Sequence, residues 1–304
     1  IQKVVGAFAW VLRKFMNISG SEGLVAAGNI FMGMTESPVL IKNYLPTMNR
    51  SEIFLVMVSG MGTIAGSVMG TYIGMLGGTD PAAKVLFATH LLSASVMAVP
   101  GSIVLAKMLC PQTEEATDHV AISGKEKENS NILDAISSGT VTGVKLMTNI
   151  AAMLLVFISL VALANYITEG VIGRYTGLND WIVKITDGKA QGLTFQFILG
   201  VITSPFMWLI GVPSQDIMLV GSLLGQKTIL NEFVAYFQLQ QWKDAGLFMY
   251  EKSILMSTYI LCGFANISSI GILLGGLGVL APEKRGLISR IGLPAMIGGA
   301  LVSV

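Results

Sequence analysis

The chain has 304 residues, 53% of them hydrophobic and 12% charged, with a mean hydropathy of +0.69. That composition excludes an ordinary soluble domain and calls for a bilayer, and a net charge of +1 leaves no basic face for nucleic acid. The two cysteines, Cys110 and Cys262, lie at or within apolar segments and read as small packing residues rather than a disulfide framework.

The chain opens without Met inside an apolar stretch, and so reads as a fragment lacking amino-terminal helices. An apolar half-segment, Leu24 to Met34, begins near Ser21-Glu22 and runs into Asn29-Ile30-Phe31-Met32-Gly33-Met34-Thr35-Glu36-Ser37-Pro38. Gly33 and Pro38 on either side of Glu36 mark one helix ending and another starting. Backbone freed at such a break is tolerated at membrane depth only where it faces protein, an ion or a water-filled cavity.

Four long uncharged windows follow: Ile53 to Thr79, Leu146 to Thr168, Ala190 to Gln215 and Ser253 to Pro282. Each reaches the roughly 20 residues needed to cross the hydrocarbon core. Val85 to Met108 is a fifth span, interrupted by His90 and Lys107, and Leu287 to Val304 starts a last one. Leu146 to Thr168, free of Gly and Pro, reads as part of a plain scaffold helix over 132–168. Thr113 to Asn131 is polar and reads as a solvated loop within 109–131.

Two spans carry similar interiors. Ser59-Gly60-Met61-Gly62-Thr63-Ile64-Ala65-Gly66-Ser67-Val68 matches Cys262-Gly263-Phe264-Ala265-Asn266-Ile267-Ser268-Ser269-Ile270-Gly271 when Gly60 is set on Gly263, which pairs Thr63 with Asn266. Upstream, Thr35-Glu36-Ser37 parallels Asn231-Glu232-Phe233, which ends a second half-segment, Ile217 to Leu230, opened by Ser214-Gln215-Asp216. Acids at both openings suit helix amino termini. The pattern is an internal repeat. Each copy is a re-entrant hairpin (20–46 and 214–242) followed by spans, 53–108 in the first and 253–304 in the second.

Charge sets the orientation. Arg13, Lys14, Lys42, Arg50, Lys107, Lys125, Lys127, Lys284, Arg285 and Arg290 fall on one side, cytoplasmic by the positive-inside rule, whereas Gly77 to Lys84 and Glu169 to Lys189 mix acids with bases. The second hairpin then enters from the opposite side, giving inverted repeats in an all-α polytopic membrane protein.

Glu36 and Glu232 are the acids at the hairpin breaks, costly at depth unless paired or hydrated. Asn266, Ser268 and Ser269 lie mid-span, where they either bond between helices or mark an unwound turn. Thr63 offers a hydroxyl that either bonds back to its own helix or joins free carbonyls around a hard monovalent cation. His90 has no acidic partner in its span and His119 lies in the polar loop, and both read as bystanders. There is no His-Glu-x-x-His, Gly-x-Ser-x-Gly or phosphate-binding loop, so the chain does not read as an enzyme.

At these residues the sequence resembles the concentrative nucleoside transporters. Gly33-Met34-Thr35-Glu36-Ser37-Pro38 is similar to that family's first-hairpin motif, Asn231-Glu232-Phe233-Val234-Ala235-Tyr236 to its second, and Cys262-Gly263-Phe264-Ala265-Asn266-Ile267-Ser268-Ser269-Ile270 to its unwound-helix signature. The resemblance implies sodium-coupled nucleoside import across the plasma (inner) membrane by a homotrimer, through elevator-like movement of the hairpin domain. It implies that Thr35 and Glu36, next to Met34 and with Val68 beside them, face the nucleobase. It also implies that Glu232, Asn266 and Ser269 bond the ribose, that Phe264 packs against the nucleoside, and that sodium binds at Asn29, Met32, Thr63 and Ile64. Met34 replaces the Gln of many members, which predicts purine preference or broader base tolerance. Proton coupling, with Glu36 or Glu232 titrating, and a passive channel or nucleoside sensor are the competing readings.

Overall fold

The computed structural model describes residues 2–115, 159–186, 188 and 190–304, with 133, 134, 136, 137, 140, 141, 144, 155 and 156 between them. His119, the expected polar loop from residue 116 onward, and residues 146–154, 157 and 158 of the window Leu146 to Thr168 lie outside the described residues. Among the described residues all regular structure is helical. The chain divides into two units, residues 1–120 with 199–304, and residues 121–198.

The first unit opens with α1 (Gln2–Met16), α2 (Gly20–Gly28), α3 (Arg50–Gly62), α4 (Gly66–Gly77) and α5 (Pro81–Leu109). The second contains a π-helical stretch, Tyr166–Gly173, and α6 (Leu178–Ile185). Then come α7 (Phe195–Ile210), α8 (Ile217–Ile229), α9 (Glu232–Asp244), α10 (Glu251–Leu261), α11 (Ile267–Leu280) and α12 (Arg285–Val302).

Helix starts follow local chemistry. Ser19 accepts the Glu22 amide while Glu22 accepts the Ser19 amide, and Asn49 and Glu52 do the same at α3. These reciprocal boxes satisfy amides that the first helical turn leaves unpaired. Asp80 caps α5, with Pro81 at its first position.

Among the described residues, three stretches are long and apolar enough to cross a membrane: Arg50–Gly77, Pro81–Leu109 and Pro282–Val302. The outward face of α5 carries Val85, Leu92, Met97 and Met108, all exposed, as a lipid-facing helix requires. Two expected crossings differ from their windows. Ala190 to Gln215 holds only the 16-residue α7, stopped by Gly211 at φ 86° and Pro213. Ser253 to Pro282 is two helices of 11 and 14 residues, parted at 262–266.

Two helix–break–helix hairpins flank the Arg50–Gly77 span. The first is α2, a turn, and a short 3-10 helix, Ser37–Ile41, that Pro38 starts; the second is α8 and α9. The first has its base at the start of α3, because Lys107 bonds Glu22 at 2.5 Å and Ser51 at 3.1 Å, and Ser51 reaches the Cys110 carbonyl at 2.7 Å. Lys284 joins that end through the Met48 carbonyl at 2.8 Å. At the opposite end of the span, Lys243 of α9 bonds the Leu76 carbonyl at 2.7 Å. The hairpins therefore rise from opposite ends of one span, the geometry of inverted repeats. Lys107, counted with the loop charges from sequence, is in fact half of an ion pair with the buried Glu22.

Repeat register differs from the sequence alignment. Gly60 lies inside α3, and Met34 packs directly on it, whereas Gly263 lies in the break after α10. Thr63 ends its first half-helix, while Asn266 starts its second one. Matching small residues aligned the composition of the two spans but not their caps.

Helices α7 and α8 meet through glycine. A Cβ on Gly225 would lie 2.6 Å from the Leu199 Cβ, and one on Gly221 would lie 2.7 Å from the Thr203 hydroxyl. The Gly-x-x-x-Gly spacing puts both on one face and lets the backbones close up. Gly225→Ala is expected to lower stability by about 1–3 kcal/mol through overpacking. Thermal unfolding of the purified protein reads the loss, with Gly74→Ala, which meets nothing within 4 Å, as the unchanged control.

Candidate functional site

The site forms where the hairpin turns meet two broken helices. In the first break, α3 ends at Gly62 and α4 starts at Gly66; in the second, α10 ends at Leu261 and α11 starts at Ile267. The breaks touch. The Phe264 amide donates to the Thr63 carbonyl at 3.2 Å, and a Cβ on Gly263 would lie 3.0 Å from the Met61 carbonyl oxygen and 3.1 Å from that of Gly62. Only glycine fits so close an approach.

Glu232, the first residue of α9, is 7% exposed. Its Oε1 accepts the Tyr72 hydroxyl at 3.3 Å and its Oε2 accepts the Asn266 amide at 3.0 Å. Asn231 caps the same helix by accepting the Val234 amide. The carboxylate thus sits at a helix amino terminus, favourable for negative charge, with two donors fixing its plane. A carboxylate offers about four acceptor sites, so two remain for a ligand's hydroxyls.

Asn266 caps α11. Its Oδ1 accepts the Ser269 amide at 2.9 Å and the Ser268 hydroxyl at 2.6 Å, and the one proton of the Ser269 hydroxyl is shared between that Oδ1 at 3.0 Å and the Phe264 carbonyl. The mid-span Asn and serines thus close an unwound turn. Phe264, half-buried, packs on both main apolar clusters.

Glu36 is exposed and its bonds stay within its own turn. Its Oε2 accepts the Gly33 amide at 2.8 Å, and its own amide donates to the Gly33 carbonyl at 3.1 Å. Thr35, also exposed, points its methyl toward Gly276 of α11. Val68 is half-buried, one helical turn before Tyr72 on α4. Met34 is 8% exposed and belongs to the core, unlike its neighbours Thr35 and Glu36.

Asn29, at the carboxyl end of α2, is fully buried; its Nδ2 donates to the Ser59 hydroxyl at 2.9 Å and its Oδ1 has no partner. The Thr63 hydroxyl spends its proton on the Ser59 carbonyl at 2.9 Å, which leaves its oxygen as an acceptor. The Gly66 amide donates to the Phe31 carbonyl at 3.3 Å and so ties this turn to the first break, with Ile64 buried and Met32 half-buried. Neutral oxygens at two helix carboxyl ends, one of them orphaned, fit a hard monovalent cation. Among the described residues no three His, Cys, Asp or Glu side chains group as a metal site.

Two residues of this region, Tyr72 and Lys227, escaped the sequence reading, and two others, Asp216 and His90, have partners that it did not find. Tyr72 stacks on Tyr236 at 4.1 Å and holds Glu232. Asp216 stands at the start of α8, as expected, but its side chain accepts the Met249 and Tyr250 amides at 3.0 and 3.1 Å rather than an amide of its own helix. Lys227, buried in α8, was hidden in an apolar half-segment, where a lone charge was the available signal. His90 pairs with Tyr259 at 3.0 Å between α5 and α10.

Residues 90–304 match the family model described as Na+ dependent nucleoside transporter C-terminus, and residues 1–79 match one described as nucleoside recognition. An uncharacterized transporter of Haemophilus influenzae is 38% identical over 307 residues, which cover all of this chain and 68% of that protein. Sodium/nucleoside cotransporter 1 of Rattus norvegicus is 39% identical over 318 residues, and here the chain spans 46% of the relative's length. Among solved structures, CNTnw in an inward-facing substrate-bound state gives a TM-score of 0.85 at 36% identity, covering 99% of this chain and 67% of that one. A CNTnw variant in an outward-facing state gives 0.87 at 35% identity, covering 99% and 68%. The chain belongs to the sodium-dependent, or concentrative, nucleoside transporters, a family of multi-pass plasma-membrane proteins.

Proposed function

We propose that this chain carries the transport core of a sodium-coupled nucleoside importer, a transporter and not an enzyme. The observation that carries the reading is the buried Glu232 carboxylate, held by Tyr72 and Asn266 with acceptor sites to spare. A ribose diol presents two adjacent hydroxyl donors, which one carboxylate takes together. Glu232, Asn266 and Ser269 bind the sugar, Phe264 packs on the nucleoside, and Thr35, Glu36 and Val68 face the base.

Sodium is held by the orphan Asn29 Oδ1, the Thr63 oxygen and carbonyls of Met32 and Ile64. Ordering the first-hairpin turn there also orders Glu36, so cation and nucleoside favour the same conformation and each raises the affinity of the other. The hairpins and broken helices travel as one body in an elevator-type cycle, and the protein assembles as a homotrimer. Relatives solved in inward-facing, intermediate and outward-facing states support a cycle of this kind. Met34, buried against Gly60, widens base tolerance toward purines by shaping the turn that carries Thr35 and Glu36.

Proteoliposomes are expected to concentrate uridine only under an inward sodium gradient; uptake driven by a pH gradient alone, or mere equilibration, would remove this reading. Glu232→Gln is expected to weaken ribonucleoside binding by roughly 10- to 100-fold, as loss of charged hydrogen bonds does, while changing 2′,3′-dideoxynucleoside binding far less. Equal losses for both ligands would move the sugar elsewhere. Asn29→Ala is expected to raise the sodium needed for half-maximal uptake about tenfold, the value of about 1.4 kcal/mol of cation binding. Adenosine and inosine are expected to compete for uridine uptake, with Met34→Gln narrowing that competition; exclusive pyrimidine preference in the parent protein would refute the role given to Met34.

A further inference from the structure

Lys227 lies in the last turn of α8 and its side chain is 0% exposed. Its ammonium donates to two neutral oxygens, the Ile260 carbonyl and the Ser303 hydroxyl, each at 2.8 Å. A buried cation whose partners carry no formal charge is costly unless something else compensates it. Here the compensation is backbone, together with the Glu232 carboxylate five residues on, whose charge acts on the ammonium without a hydrogen bond to it. Lys227 stands at the carboxyl, negative end of α8, and Ile260 is the next-to-last residue of α10, so two helix carboxyl ends converge on one ammonium.

The first repeat has the same crossing without the lysine. The end of its hairpin limb α2 meets the end of its half-helix α3 through Asn29 and Ser59, and there a buried oxygen, Asn29 Oδ1, has no partner. One crossing holds a tethered cation on neutral oxygens, and the other holds an unfilled oxygen and no cationic side chain. Discontinuous helices bind coupling cations at such carboxyl ends.

We propose that Lys227 is the resident cation of the second repeat, doing permanently there what a coupling ion does reversibly in the first. It acts as a positioning residue. By holding the Ile260 carbonyl it fixes the break at 262–266, and with it Asn266, which orients Glu232. The sugar side of the site is then preorganised at any sodium concentration, while the base side waits for the ion. This rests on the sodium-coupled reading above.

The test is uridine binding by calorimetry, together with thermal unfolding, on purified protein titrated with sodium against choline. Lys227→Gln keeps a donor and removes the charge, and is expected to bind uridine at least about tenfold more weakly. Methylammonium, or sodium above the level that saturates the parent protein, is expected to restore part of both binding and unfolding temperature. Lys227→Arg keeps the charge and is expected to stay within about threefold of the parent. If Lys227→Gln does not fold, Lys227→Arg decides: retained binding supports the resident cation, and lost binding overturns it. Parent-like binding by Lys227→Gln, or a loss that no cation restores, would also overturn it. Parent protein that binds uridine regardless of sodium would instead overturn the sodium-coupled reading on which it rests.

Discussion

Everything in the first unit depends on how two opened helices satisfy each other. A helix interrupted inside a membrane leaves amides and carbonyls that no water reaches. Here the Phe264 amide takes the Thr63 carbonyl, Gly66 takes the Phe31 carbonyl, and the Asn266 side chain takes the Ser269 amide. The backbones come this close because Gly263 has no side chain to hold them apart. The same openings create helix ends of both signs within one small volume. Amino ends collect Glu232 and Asn266, and carboxyl ends collect Asn29 and the Lys227 ammonium, so acid, amide and cation are each placed by backbone polarity.

Much of this was legible in the chain. Glu36 and Glu232 stood out because an acid in an apolar run needs a reason, and Asn266 with its serines stood out because Gly263 precedes them. Hairpins at opposite ends followed from charge placement, and the Lys107, Lys284 and Lys243 contacts match that arrangement. What sequence could not supply was partnership across distance. Asp216 reaches amides 33 and 34 residues away, and Tyr72 reaches Glu232 across 160. Neither leaves a local spacing to find.

Other misreadings came from averaging. A hydropathy window cannot see that Gly211 and Pro213 cut α7 to 16 residues, nor that one lysine sits within Ile217–Ile229. Aligning glycines likewise paired a helical contact with a break, since Gly60 serves contact with Met34 and Gly263 serves the crossing. Met34 itself was singled out because it stands where many members of the family carry Gln, and its side chain belongs to the core.

A buried acid and a buried base within one hairpin also decide what the membrane voltage acts on. Moving one elementary charge through the full potential is worth about 2.3 kcal/mol per 100 mV. In the cycle proposed above, with Glu232 and Lys227 both charged, the second hairpin carries no net charge from this pair as it moves. In that cycle the loaded inward stroke carries one cation together with the Glu36 carboxylate, and so no net charge from those two, and a negative interior acts instead on the empty return, which carries Glu36 outward.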